Sequence, residues 1–197
     1  MFSTEEFNKY CEEMRIYLAL HHELYSNTCK DVYLEELSAK AFNAIGKDSD
    51  WVADCSHETG RDQTVNSVKI SNKSGMIFVY DDGTINIKVS GSRTSKYDTL
   101  GAKLNFLNKK NYDYILGCGT VKNDPSRKYY LYVIDGARID FLDLEWTEDQ
   151  DKKGDSKWEG IGNGIIADIQ TKATSNQLWL TVDKDFCDHF AELEIDL

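Results

Sequence analysis

Asp62 opens a polar, β-rich run, D-Q-T-V-N-S-V-K-I-S-N-K-S-G, and Ser71-Asn72-Lys73 follows nine positions after it. Lys69-Ile70 before Ser71 read as the end of a strand, and Gly75 is expected to break that strand. An aspartate at a strand end offers a hard cation one rigid oxygen ligand. A nearby lysine can orient or deprotonate a water, or offset charge that develops on an oxyanion. A polar β-hairpin can also carry this spacing with no chemistry attached.

The arrangement resembles the motif of the PD-(D/E)xK nucleases, best known in type II restriction endonucleases. There an Asp is followed, one short hairpin later, by Glu/Asp-x-Lys on a neighbouring strand. The resemblance assigns Asp62 as the first acid and metal ligand, and Lys73 as the lysine that handles the attacking water. Ser71 stands in the place of the second acid and removes one negative charge from the site. The implied cofactor is Mg²⁺, which lowers the pKa of bound water and stabilises charge on the phosphate. The implied activity is that of a type II site-specific deoxyribonuclease, a hydrolase acting on double-stranded DNA. A homodimer follows, since palindromic duplexes are read by two-fold assemblies. An acid from the helix before the hairpin often completes such sites, which makes Glu36 a candidate ligand; it reads also as a solvated helix acid. Glu58 can share a metal with Asp62 or pair with Arg61. A late Ser175-Asn176-Gln177-Leu178-Trp179 segment also looks like some type II restriction enzymes, or is a core strand anchored by its tryptophan.

A rival constellation, Asp82 with Asn86-Ile87-Lys88, has too short a gap to bring two strands together, although Lys88 can still face a cleft. Ser90-Gly91-Ser92-Arg93-Thr94-Ser95-Lys96 is small, hydroxyl-rich, basic and precedes a helix. Such a loop suits phosphate contact, and an arginine in it can read guanine. Lys88, Ser90, Ser92, Arg93, Thr94 and Lys96 are therefore the expected DNA-contacting residues, against the plainer reading of an ordinary strand-to-helix loop.

The 197 residues allow one domain with a substantial core, and 41 % hydrophobic and 12 % aromatic content excludes a disordered chain. The net charge of −11, from 34 acids and 23 bases, argues against non-specific nucleic-acid binding. The bases are uneven: Lys69, Lys73, Lys88, Arg93, Lys96, Lys103, Lys109 and Lys110 crowd the middle of the chain. A non-catalytic acidic interaction protein, a DNA mimic or an inhibitor of a nucleic-acid enzyme, is the alternative reading. The five cysteines form no C-x-x-C pair and are expected as free, mostly buried thiols. No run is long and apolar enough to span a membrane, and the acidic N-terminus lacks a secretory pattern, so a cytoplasmic location is expected.

The elements that must position these residues read as an α/β domain over 1–197: an N-terminal helix region (1–30), a catalytic core (31–135) and a C-terminal part (136–197). Helices are expected over 4–25, 32–45 and 98–109. Strands are expected near 64–72, 76–80, 85–89, 112–118, 128–135 and 175–182. Residues 137–146 read as a strand or short helix, Thr147–Gly164 as a long glycine-rich loop, and the tail from Phe186 as helical or frayed. The order predicts a mixed central sheet flanked by helices, compatible with the restriction-endonuclease fold.

Overall fold

Helix α1 (Thr4–Leu24) starts at a capping box: the Ser3 hydroxyl accepts from the Glu6 amide, and the Glu6 carboxylate accepts from the Ser3 amide. Phe7, Tyr10, Cys11, Met14, Leu18 and His22 recur at helical spacing and make its buried stripe. α2 (Asp31–Ala44) packs against it with Leu34, Ala41 and Phe42 buried. The computed structural model describes residues 2–29, 31–51, 60–124, 127–150, 156–170 and 176–195. Among the described residues no helix is long and apolar enough to cross a membrane.

The strands are β1 (Gln63–Val65), β2 (Val68–Val79), β3 (Ile85–Arg93), β4 (Tyr114–Val121), β5 (Lys128–Asp135), β6 (Glu145–Gln150), β7 (Ser156–Gly162), β8 (Ile165–Gln170), β9 (Gln177–Asp183) and β10 (His189–Glu194). They form one sheet in the order β10-β5-β4-β2-β3-β9-β8-β7-β6, with β1 added to β2. Among the described strands β2 and β4 alone pair in parallel; α3 (Leu100–Asn108) lies in the chain between β3 and β4. The mixed α/β sheet expected from the sequence is present.

Two cores sit on opposite faces, as the alternation along each strand requires. Ile70, Leu116, Tyr129, Leu131 and Val133 face α1 and α2. Ile77, Val89, Ile115, Tyr132 and Ile134 face the other way, towards Leu104 and Leu107 of α3. Helices therefore flank both faces. Cys11, Cys29 and Cys118 are buried free thiols, and Cys187 is a half-buried one; Cys55 lies outside the described residues.

Three expectations need correcting. Gly75 does not end a strand: β2 continues through it to Val79. A Cβ there would lie 2.4 Å from the Tyr132 hydroxyl, so the glycine makes room for a ring crossing from β5. The expected long loop is largely β6 and β7 followed by a tight turn into β8. Gly160, read as loop, is a strand glycine whose missing side chain admits the Trp146 indole, 2.6 Å from an added Cβ. The tail forms neither helix nor frayed end over its described part, because alternating His189–Glu194 pairs antiparallel with β5.

Candidate functional site

The β1–β2 hairpin builds the site. Asn66 and Ser67 both have positive φ, 48° and 71°, and Val65 pairs with Val68. A two-residue turn with both φ positive matches the twist of its strands and fixes their register. Gln63 is thereby set opposite Ile70, the Asp62 amide donates to the Ile70 carbonyl at 2.9 Å, and Asp62 stands beside Ser71.

The sequence-expected trio is in mutual contact. Asp62 Oδ2 accepts from the Ser71 hydroxyl at 3.3 Å and from Lys73 Nζ at 3.4 Å. Ser71 is fully buried, while the Asp62 and Lys73 side chains keep 16 % and 25 % exposure, enough for both to be reached by a ligand. The edge of β2 explains why this place is open. β1 covers that edge up to Ile70 and β3 takes it from Gly75, so Ser71 to Ser74 meet no strand there among the described residues.

Ser71 and Lys73 open onto a cavity of about 370 Å³ between the sheet and α3. Val89, Leu178 and Leu180 form its sheet wall and Phe106 its helix wall. Ser90 and Ser92 also line it.

Behind the trio, on the α1–α2 face, the intervening residues are pinned. The buried Gln63 amide donates to the Ser38 hydroxyl at 3.0 Å, and its carbonyl accepts from Ser49 at 2.7 Å. Ser38 also accepts from the Tyr10 hydroxyl at 3.1 Å and reaches Asn72 at 3.5 Å. One helix residue thus holds both strands of the hairpin, each at the position next to a site residue. Nothing in the local pattern of Gln63 or Asn72 reveals this; the signal is a polar residue at an inward-facing strand position.

The remaining expected residues disperse. Glu36 lies on α2 in an ion pair with Lys40 at 2.6 Å and has no contact with the trio. Glu58 lies outside the described residues; among the described ones Arg61 meets Thr64 at 2.8 Å and Asp50 at 3.6 Å. Lys88 projects from the face opposite Val89, pairs with Asp168 at 3.3 Å and lies 5.8 Å from the Trp179 ring centre. Asp82 accepts from the Thr84 amide, which holds its carboxyl below its usual range, and does not meet Lys88. Thr94 is buried with its hydroxyl donated to the Asn176 carbonyl at 2.7 Å, whereas Arg93 and Lys96 are exposed.

The mid-chain bases are not one patch. The Lys103 ammonium is directed at the Thr94 and Tyr97 carbonyls, and Lys110 at those of Gly136 and Ile139. Burial lowers both pKa values. An ion cluster missed in the sequence lies on the Lys88 face, where Lys157 meets Glu159, Asp168 and Asp149 at 2.7, 3.3 and 3.4 Å. Alternating charges on adjacent strands were its only sequence signal.

Among the described residues no group of three or more His, Cys, Asp or Glu could hold a metal ion. The donor set at the trio is one carboxylate with a neighbouring hydroxyl. Mg²⁺ commonly accepts so few protein ligands, retaining several waters and using substrate phosphate oxygens. Compared with known proteins, the chain matches no family model, no curated protein and no solved structure.

Proposed function

We propose that this chain is a Mg²⁺-dependent endonuclease hydrolysing phosphodiester bonds of double-stranded DNA, with a restriction-endonuclease-like arrangement and a homodimeric working form. The observation that carries the reading is the direct contact of Asp62 with Ser71 and Lys73 where no described strand pairs with that edge of β2.

Asp62 is the residue that would hold the metal, whose chemistry is to lower the pKa of water and stabilise phosphate charge. Ser71 donates to the Asp62 carboxylate and so fixes its orientation. Lys73 supplies a positive charge within reach of an entering phosphate and a donor that orients the attacking water. Arg93, at the end of β3, and Lys96, in the loop after it, are exposed and provide further phosphate contacts.

The alternative, an acidic interaction protein, draws on the net charge of −11 and on edge strand β6, where Glu145, Glu148 and Asp149 are exposed. Phage DNA incubated with purified protein separates the two. The nuclease reading expects discrete fragments with Mg²⁺ and none with EDTA. Intact DNA under every metal condition refutes it and leaves the interaction protein.

A further inference from the structure

The cavity in front of the trio carries charge information at odds with the whole chain. In a protein of net charge −11, its lining includes Lys73, which keeps Asp62 as its partner at 3.4 Å, and Lys109, with Lys110 turned to the Gly136 and Ile139 carbonyls, and no carboxylate among the described residues. An anionic ligand is therefore favoured there. The rest of the wall is apolar and aromatic, with Phe106 and Phe141 opposite Val89, Leu178 and Leu180. Such a wall requires a flat apolar body joined to the anion.

Size and polar lining narrow the class. About 370 Å³ lies near the lower end of small-molecule sites, roughly 300–1,000 Å³. A duplex is excluded, and one nucleotide is accommodated. The β3–β9 register shifts between Ser90 and Arg93, so Gly91 and Ser92 bulge on the cavity wall. A bulge re-aims side chains and leaves main-chain groups outside the regular ladder. A Cβ on Gly91 would sit 2.7 Å from Leu178, so glycine is what lets the bulge lie so close to β9. Ser90 and Ser92 therefore offer hydrogen-bonding groups beside an aromatic wall, the combination that recognises the edge and face of a nucleobase.

We propose that the cavity receives a single unstacked nucleotide unit, with its base against Phe106 and the Ser90–Ser92 bulge and its phosphate at Lys73. This deepens the nuclease reading and rests on it for the phosphate position. The unit has two sources, a nucleotide extruded from a duplex or a free nucleotide, and the experiment distinguishes them.

The test is calorimetric titration of the full chain in EDTA, where no metal-dependent cleavage interferes. The probes are deoxynucleoside 5′-monophosphates, the matching nucleosides and inorganic phosphate. Nucleotides are expected to bind at least about tenfold more tightly than phosphate, from stacking alone. Ser92→Phe, which puts a ring into the cavity where the base would lie, and Phe106→Ala, which removes its stacking wall, are each expected to abolish that advantage and leave phosphate binding unchanged. Urea transitions that begin from a complete native baseline establish that both variants are folded under the titration conditions. Equal affinity for nucleotide and phosphate, or nucleotide binding indifferent to both substitutions, overturns the proposal. A second arm uses 2-aminopurine inside a duplex. A rise in its fluorescence on binding, lost in Ser92→Phe, assigns the extruded nucleotide; tight nucleotide binding without that rise assigns the free one. DNA cleavage that fails while nucleotide binding persists removes the nuclease reading and retains the cavity's ligand.

Discussion

Ser38→Ala removes the hub behind the candidate site, and the structure sets the cost. Tyr10, Ser38 and Gln63 are 1 %, 1 % and 2 % exposed. Without the hydroxyl, the Tyr10 O–H and the Gln63 amide N–H both lose their acceptor. A buried donor left unsatisfied costs about 1–3 kcal/mol, so the substitution is expected to cost about 2–6 kcal/mol. That is a large share of a domain stability of roughly 5–15 kcal/mol. Tyr10→Phe alone removes one ordinary hydrogen bond, about 1 kcal/mol. In the Tyr10→Phe background one orphaned donor no longer exists, so Ser38→Ala should cost about 1–3 kcal/mol less than in wild type. Urea unfolding followed by tryptophan fluorescence measures all four corners of the cycle. A Ser38→Ala cost below about 1 kcal/mol, or strict additivity, would refute the argument that this network ties the two strands to α2.

Three further outcomes follow from other parts of the molecule. Gly117→Ala would place a Cβ 1.9 Å from Cζ of the fully buried Tyr132, and should cost about 3 kcal/mol or more in a urea melt, with most of it recovered in the Tyr132→Ala background. His22 lies with Nε2 2.8 Å from the Tyr129 hydroxyl and Nδ1 3.2 Å from the Tyr25 carbonyl, and burial lowers its pKa from the usual 6.5. Its stabilising contribution is therefore full above pH 6.5 and lost as pH falls below that value, since the unfolded chain takes up the proton first. Unfolding curves for His22→Gln should lose that part of the acid dependence, and an unchanged slope would contradict it. Lys157→Met leaves Asp149 and Glu159 without that cation beside Asp168, which keeps Lys88, and should cost about 2 kcal/mol, between exposed and fully buried ion pairs. Adding Glu159→Gln should recover part of that loss in thermal melts.

What the sequence made legible is what local chemistry decides. Ser3 and Glu6 announce the start of α1, and Phe7 to Leu18 its buried stripe, because a cap and a period are properties of neighbouring residues. Asp62, Ser71 and Lys73 were legible together because one short hairpin connects them. Spacing set the Asp82–Lys88 pair aside but did not reveal which face Lys88 takes. The pleat sends it to the opposite face from Val89, and only the pairing with β9 and the contact with Asp168 reveal that side. Glycines misled in the same way. Gly75 and Gly160 carry the composition of breaks, but each is set by a ring from another strand, Tyr132 and Trp146. The acidic tail became a strand because β5 offered an edge to it, a fact that resides some sixty residues upstream in the chain and not in the tail. The network through Ser38 joins residues of α1, α2, β1 and β2, and is invisible until those elements are packed.

The central claim is that Asp62 and Lys73 hydrolyse phosphodiesters, and the rate of Mg²⁺-dependent phage DNA cleavage tests it most directly. Wild type, Asp62→Asn and Lys73→Met are compared at temperatures where urea midpoints show all three folded. The account predicts that each substitution slows cleavage by at least about 100-fold, the lower bound expected for a positioned acid–base group. Cleavage by both variants at the wild-type rate would contradict it.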